Sequence, residues 1–121
     1  MVLEVVIDKR RTHRDSARIS VNPKLNRIVI NKKARELIER NHKKQLTHVQ
    51  LLRDPDVQNA FWMRPCEPTD IGARQIDTSS GTTLTVSCRL LLKELKWKAK
   101  ETQSFPISWD AENNAAKVDL S

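Results

Sequence analysis

The sequence predicts a mainly β protein with short helices, an α+β chain whose strands close into a pseudo-twofold barrel of two tandem strand–helix–hairpin units. Three observations predict it. Residues 25–38, LNRIVINKKARELI, alternate like a strand and switch to helical spacing after Asn31. Residues 81–95, GTTLTVSCRLLLKEL, make the same switch. The chain has 121 residues, 38% hydrophobic and 31% charged, which suits a single domain with a modest core. A unit of about 48 residues is too small to bury a good core by itself, so two copies in one chain would have to supply each other's.

The elements follow in order. Residues 2–8, VLEVVID, are rich in Val and Ile and alternate as a strand. KRRTHRDS, residues 9–16, is too polar for a core element and reads as a basic loop. ARISV and RIVI are strands joined through NPKLN, where Pro presets its own φ and Asn tolerates unusual backbone angles. Asn31 can cap the following helix, because its side-chain oxygen can accept backbone N–H bonds at the helix start. Ala34, Leu37 and Ile38 then form an apolar face. THVQLLRD and AFWMR read as a hairpin around DPDVQN. PCEPTDIG, residues 65–72, has two prolines and a glycine and reads as the linker. After it, ARQID and TTLTV are strands, Ser87 takes the capping position, and Leu91 and Leu95 pair on a short helix with Leu92 beside them. SFPISWD and AAKVDL close as a hairpin around AENN. The expected core is Ile28, Ile30, Leu37, Ile38, Leu84, Val86, Leu91 and Leu95, with Trp62, Trp97 and Trp109 in the core or at a subunit interface.

Setting residue n on n+56 brings the two units into register. Ala17-Arg18 falls on Ala73-Arg74, Ile28 and Ile30 on Leu84 and Val86, and Asn31 on Ser87. Leu51 falls on Ile107, Asp54 on Asp110 and Ala60 on Ala116. With one residue inserted in the second copy, Ala34 and Ile38 match Leu91 and Leu95. The expected organisation is therefore one domain over 1–121, with repeats at 17–64 and 73–120.

The formal net charge is +7 and uneven: residues 1–64 hold 15 Lys and Arg against 7 Asp and Glu, and residues 65–121 hold 7 against 8. A basic half beside a neutral one suggests a surface for an anionic partner. The cations Lys9, Arg10, Arg11, Arg14, Arg18, Lys24, Arg27, Lys32, Lys33 and Arg35 could neutralise several phosphates. Aromatic residues are only 4% and tyrosine is missing, which argues against a stacking platform for single strands and favours duplex DNA.

Other classes of function find little support. No apolar run approaches the roughly 20 residues of a membrane-spanning helix. Glu4 and Asp8 stand where a signal peptide would carry a basic region and a long apolar stretch, so a cytoplasmic protein with no membrane partner is expected. Cys66 and Cys88 form no C-x-x-C pair and read as reduced thiols. His13, His42 and His48 are scattered at no metal-ligand spacing, so no cofactor is expected. With Gly72 and Gly81 as the only glycines, no phosphate-cradling loop can be written. Asp54, Asp56, Asp110 and Glu112 are accounted for by turns. The expectation is a protein that is not an enzyme.

Residues 25–38 also resemble the AbrB-type swapped-hairpin family. Leu25, Arg27, the triplet Ile28-Val29-Ile30 and Arg35 match its pattern; Asn26 stands for the usual Gly and Asn31 for the usual Pro. The resemblance covers roughly residues 17–64 and reaches 73–120 through the repeat. It implies interlocking hairpins and, as in MraZ-like proteins, two units in one chain. It further implies DNA binding through arginines around the first strand and the helix start, a role that Arg27 and Arg35 would inherit. The second copy has Thr83 and Leu91 at those positions, so the DNA face is not duplicated. The expected function is a non-enzymatic DNA-binding protein and regulator of transcription, with contacts from Arg10, Arg11, Arg14, Arg18, Arg27, Lys32, Lys33 and Arg35. The alternative is a protein-interaction or assembly scaffold with no DNA role. Association with further copies of the chain fits either reading.

Overall fold

A computed structural model describes residues 16–78 and 84–120. The strand predicted at 2–8 and nearly all of the basic loop after it lie outside the described residues. The described elements run β1 (Arg18–Asn22), β2 (Arg27–Ile30), α1 (Lys32–His42), β3 (His48–Leu52) and β4 (Ala60–Pro65), then β5 (Arg74–Gln75), β6 (Leu84–Ser87), α2 (Arg89–Glu94), β7 (Gln103–Asp110) and β8 (Ala115–Asp119). No described helix is long and apolar enough to cross a membrane.

The eight strands form one antiparallel sheet in the order β5-β3-β4-β8-β7-β1-β2-β6. Its two edges nearly meet. Just past β5, Asp77 faces Thr85 of β6, and the two exchange backbone hydrogen bonds of 2.8 and 3.1 Å. The result is a barrel-like sheet closed at one bridge. Alternation along the strands sets the inside. Ile19 and Val21 of β1, Ile28 and Ile30 of β2, Val49 of β3, Phe61 and Met63 of β4, Leu84 and Val86 of β6, and Val118 of β8 all point into a shared core and are fully or nearly fully buried. Ala34 and Ile38 of α1 and Leu91 and Leu92 of α2 join it. Leu37, Leu95, Trp97 and Trp109 are packed against this core but only partly buried.

Local chemistry explains the turns. Between β1 and β2, the Asn22 side chain accepts from the N–H groups of Lys24 and Leu25 at 3.1 and 3.3 Å, and Asn26 closes the turn at φ 51. Between β7 and β8, the Asp110 side chain accepts from Glu112 and Asn113 at 3.2 and 3.3 Å, and Asn114 closes the turn at φ 51. Asn tolerates this left-handed region better than other non-glycine residues. The stretch read as a linker is a hydrogen-bonded connection. Cys66 donates to the His48 carbonyl, the Asp70 side chain accepts from the Glu67 N–H, and Gly72 turns at φ 73.

The helix starts differ from each other. Asn31 caps α1 as expected, its Oδ1 accepting from the Ala34 N–H at 2.8 Å. Ser87 does not cap α2: its backbone is committed to β6, where it pairs with Arg27, and Cys88 takes the cap position without a side-chain bond. The Cys88 N–H donates instead to the Asn26 carbonyl at 2.8 Å, which fastens the β1–β2 turn to the start of α2. Helix α2 ends at Glu94, so Leu95 lies at its C-cap rather than on its face. Lys96 at φ 52 and the bonds Lys96 N–H to Lys93 O and Trp97 N–H to Leu92 O form a Schellman motif. This motif fixes where Trp97 stands.

Candidate nucleic-acid interface

Of the eight cations expected to contact DNA, Arg10, Arg11 and Arg14 lie outside the described residues. The other five do not form one cluster. Strand β2 divides them: Arg27 begins it and Asn31 follows it, so the two ends are about 13 Å apart at 3.3 Å per residue.

At the α1 end, Asn31 organises the backbone. Its Nδ2 donates to the Ser16 carbonyl at 2.9 Å, and its Oδ1 accepts from the Arg18 N–H at 3.2 Å as well as from Ala34. Arg18 thus sits beside Lys32 and Lys33. Its guanidinium is already engaged, Nε donating to Ser104 Oγ at 2.9 Å and a terminal nitrogen to the Ser104 carbonyl at 3.1 Å. Lys32 is exposed and forms no ion pair among the described residues. Lys33 reaches Glu36 at 3.8 Å, with both side chains about half exposed. A pair of that kind contributes little and leaves the cation available. Arg35 is held inward. Its Nε donates to Glu39 Oε1 at 3.1 Å, and the other oxygen of Glu39 accepts the Leu46 N–H at 2.8 Å. Glu39 thus ties α1 to the loop leading into β3, and Arg35 holds Glu39 in place.

At the other end, Arg27 is exposed and lies across from Ser87, two residues before Arg89. The turn carrying Lys24 and Asn26 sits on the start of α2, and Arg89 and Lys93 follow one turn apart on that helix. Sequence reasoning assigned the second half no cationic role; the β2–β6 pairing brings its cations to Arg27. Nothing in the spacing of the sequence announces that pairing.

A third feature lies on the outer face of β4. Phe61 and Met63 point inward, so Trp62 points outward and is half-buried. Its indole N–H donates to Asp110 Oδ2 at 3.0 Å, and Lys117 Nζ stands 5.9 Å from its ring centroid. Arg64 donates to the Asn113 carbonyl at 3.2 Å. Hydrogen bonds from the Asn113 side chain and from Trp62 hold the Asp110 carboxyl below its ordinary range; desolvation opposes them, and bonds from the turn backbone add to them. Leu52, Arg53, Asp54, Trp62, Arg64 and Asn113 line a shallow cleft of about 180 Å³ here.

The thiols are poor nucleophiles. Burial pushes Cys88 up to about 11, against a smaller opposite pull from Arg74. Burial and the charges of Asp70 and Glu67 raise Cys66. Among the described residues no three His, Cys, Asp or Glu side chains stand close enough to hold a metal ion. Comparison with protein-family models, with curated proteins and with solved structures returns no match.

Proposed function

We propose that the protein is a non-enzymatic, AbrB-like DNA-binding protein that acts as a regulator, built from tandem units at 17–64 and 73–120 about an approximate twofold axis. The observation that carries the DNA reading is the pair of exposed cationic groups flanking β2, Lys32 and Lys33 at one end and Arg27 with Arg89 and Lys93 at the other. Their separation of about 13 Å is close to the ~12 Å width of the major groove of duplex DNA. The tandem reading is supported by the ring order. Each half runs strand, strand, helix, strand, strand, and exchanging β1–β4 with β5–β8 leaves the order of neighbours around the closed ring unchanged. Asp54 and Asp110, aligned in the sequence, both accept from the N–H two residues on.

The test is duplex binding across a salt series. The logarithm of the affinity should fall linearly with the logarithm of salt, through release of condensed counterions. Arg27→Ala and Lys32→Ala should each reduce the slope by about one unit. Arg74→Ala, on the short edge strand β5, should not. No duplex binding at low salt, where attraction is least screened, would end the DNA reading. The scaffold alternative draws on the exposed apolar side chains Leu25, Leu90 and Ile71, at 60%, 61% and 94% exposure. It predicts stable self-association or partner binding that is insensitive to these cation substitutions.

A further inference from the structure

We propose that the cleft between the β1–β2 turn and α2 is a phosphate-binding site. Pro23, Asn26, Arg89, Leu92, Lys93 and Trp97 line it, and it holds about 300 Å³. No carboxylate is among them. Arg89 and Lys93 stand at i and i+4 on α2, so both side chains project from one face of the helix. Neither forms an ion pair among the described residues. Asn26 adds a side-chain amide, and its position is rigid because its carbonyl receives the Cys88 N–H. Trp97 is fixed by the Schellman motif and packs edge-to-face on Phe105 with centroids 5.7 Å apart. Its indole nitrogen is buried and has no hydrogen-bond partner. The wall of this cleft therefore presents two unpaired cations and an amide, with the Trp97 ring beside them. That set outnumbers the two oxygens of a carboxylate and suits the several oxygens and higher charge of a phosphate, which Arg and Lys recognise by charge-assisted hydrogen bonds.

The phosphate could belong to a nucleic-acid backbone or to a small phosphorylated ligand. The site does not require the duplex reading, since a free phosphate satisfies the same donors. The experiment follows the three indole N–H resonances by NMR, assigned with Trp97→Phe, during titration with inorganic phosphate, adenosine 5′-monophosphate and a short DNA duplex. Sodium chloride at matched ionic strength is the control. The Trp97 signal should move more than those of Trp62 and Trp109. Arg89→Ala and Lys93→Ala should each weaken binding about tenfold, as expected for loss of one charge-assisted hydrogen bond. Both side chains are exposed, so unchanged melting temperature and unchanged resonances elsewhere would verify that the variants fold. A response to all the phosphate probes supports the site, and response to the small probes alone identifies a small ligand. Duplex binding with a silent Trp97 overturns the cleft and leaves the DNA reading standing. The reverse pattern, small-probe binding without duplex binding, keeps the cleft and removes that reading. An equal response to chloride, or undiminished phosphate binding in the double variant, also overturns the cleft.

Discussion

Replacing Asn31 with alanine should remove three hydrogen bonds at once. The side chain accepts from Ala34 at 2.8 Å and from Arg18 at 3.2 Å, and donates to the Ser16 carbonyl at 2.9 Å. Loss of an N-cap costs typically about 1 kcal/mol. The other two bonds are part-buried, so water can replace them incompletely; at about 0.5–1 kcal/mol each, the whole change is about 2–3 kcal/mol. The backbone bond from Asn31 N–H to the Arg18 carbonyl survives, which sets the upper limit. For a chain of this size that corresponds to a melting temperature lower by about 8–12 °C, at roughly 4 °C per kcal/mol. Urea unfolding at constant slope is the direct assay. Asn31→Asp separates the contributions: it keeps the acceptor for Ala34 and loses the donor to Ser16, so it should recover more than half of the loss. A cost below about 0.5 kcal/mol for Asn31→Ala, or identical behaviour of the Asp and Ala variants, would refute the view that this residue ties β1 to α1.

Three further outcomes are expected. Ile30 is fully buried opposite Leu84, and Ile30→Ala should cost about 3 kcal/mol through lost transfer energy and a residual cavity, with less than about 1 kcal/mol showing that the core is misplaced. Asp110 has a lowered pKa in the folded state, so its stabilising effect is complete above the ordinary Asp range and is lost as pH falls through the folded value. The urea midpoint of wild type should therefore drop more between pH 6 and pH 3 than that of Asp110→Ala, and equal drops would contradict it. Cys88 ionises near 11 in the folded protein, against about 8.5 in an open chain. In a Cys66→Ser background, iodoacetamide at pH 8 should alkylate it about 200-fold more slowly in native protein than in urea, the ratio of the two thiolate fractions. The unfolded chain releases that proton first, so stability should also fall as pH rises from about 8.5 towards 11.

What could be read from the sequence follows from how far each signal reaches. Asn31 was legible as a cap because capping is settled within three residues, but its bonds to Ser16 and Arg18 depend on the β1–β2 hairpin. The inward positions of Ile28, Ile30, Leu84 and Val86 followed from simple alternation. The same alternation, applied to AFWMR, would have turned Trp62 outward, where its tie to Asp110 lies. Ser87 was a sound cap by composition, yet pairing with Arg27 kept it in a strand. The candidate interface was less legible than the core. Arg27 and Arg35 were joined by resemblance, whereas β2 sets them at opposite ends and Glu39 holds Arg35. Arg89 and Lys93 showed helical spacing, but only the sheet order reveals that they face the β1–β2 turn.

The way the two halves interleave has a consequence for the order in which the chain is made. Strand β1 takes β7 as a neighbour and β4 takes β8, so strands of the first half depend on partners that begin nearly 40 residues beyond Pro65. At roughly 5–20 residues per second of synthesis, that interval lasts about 2–8 s. During it, Ile19, Val21, Phe61 and Met63 lack Ile107, Ala116 and Val118 of the shared core, and β1 and β4 present open hydrogen-bonding edges. A nascent chain halted between residues 65 and 103 is therefore the form most prone to bind a chaperone or to pair with a second nascent chain, and emergence of β7 and β8 ends that exposure.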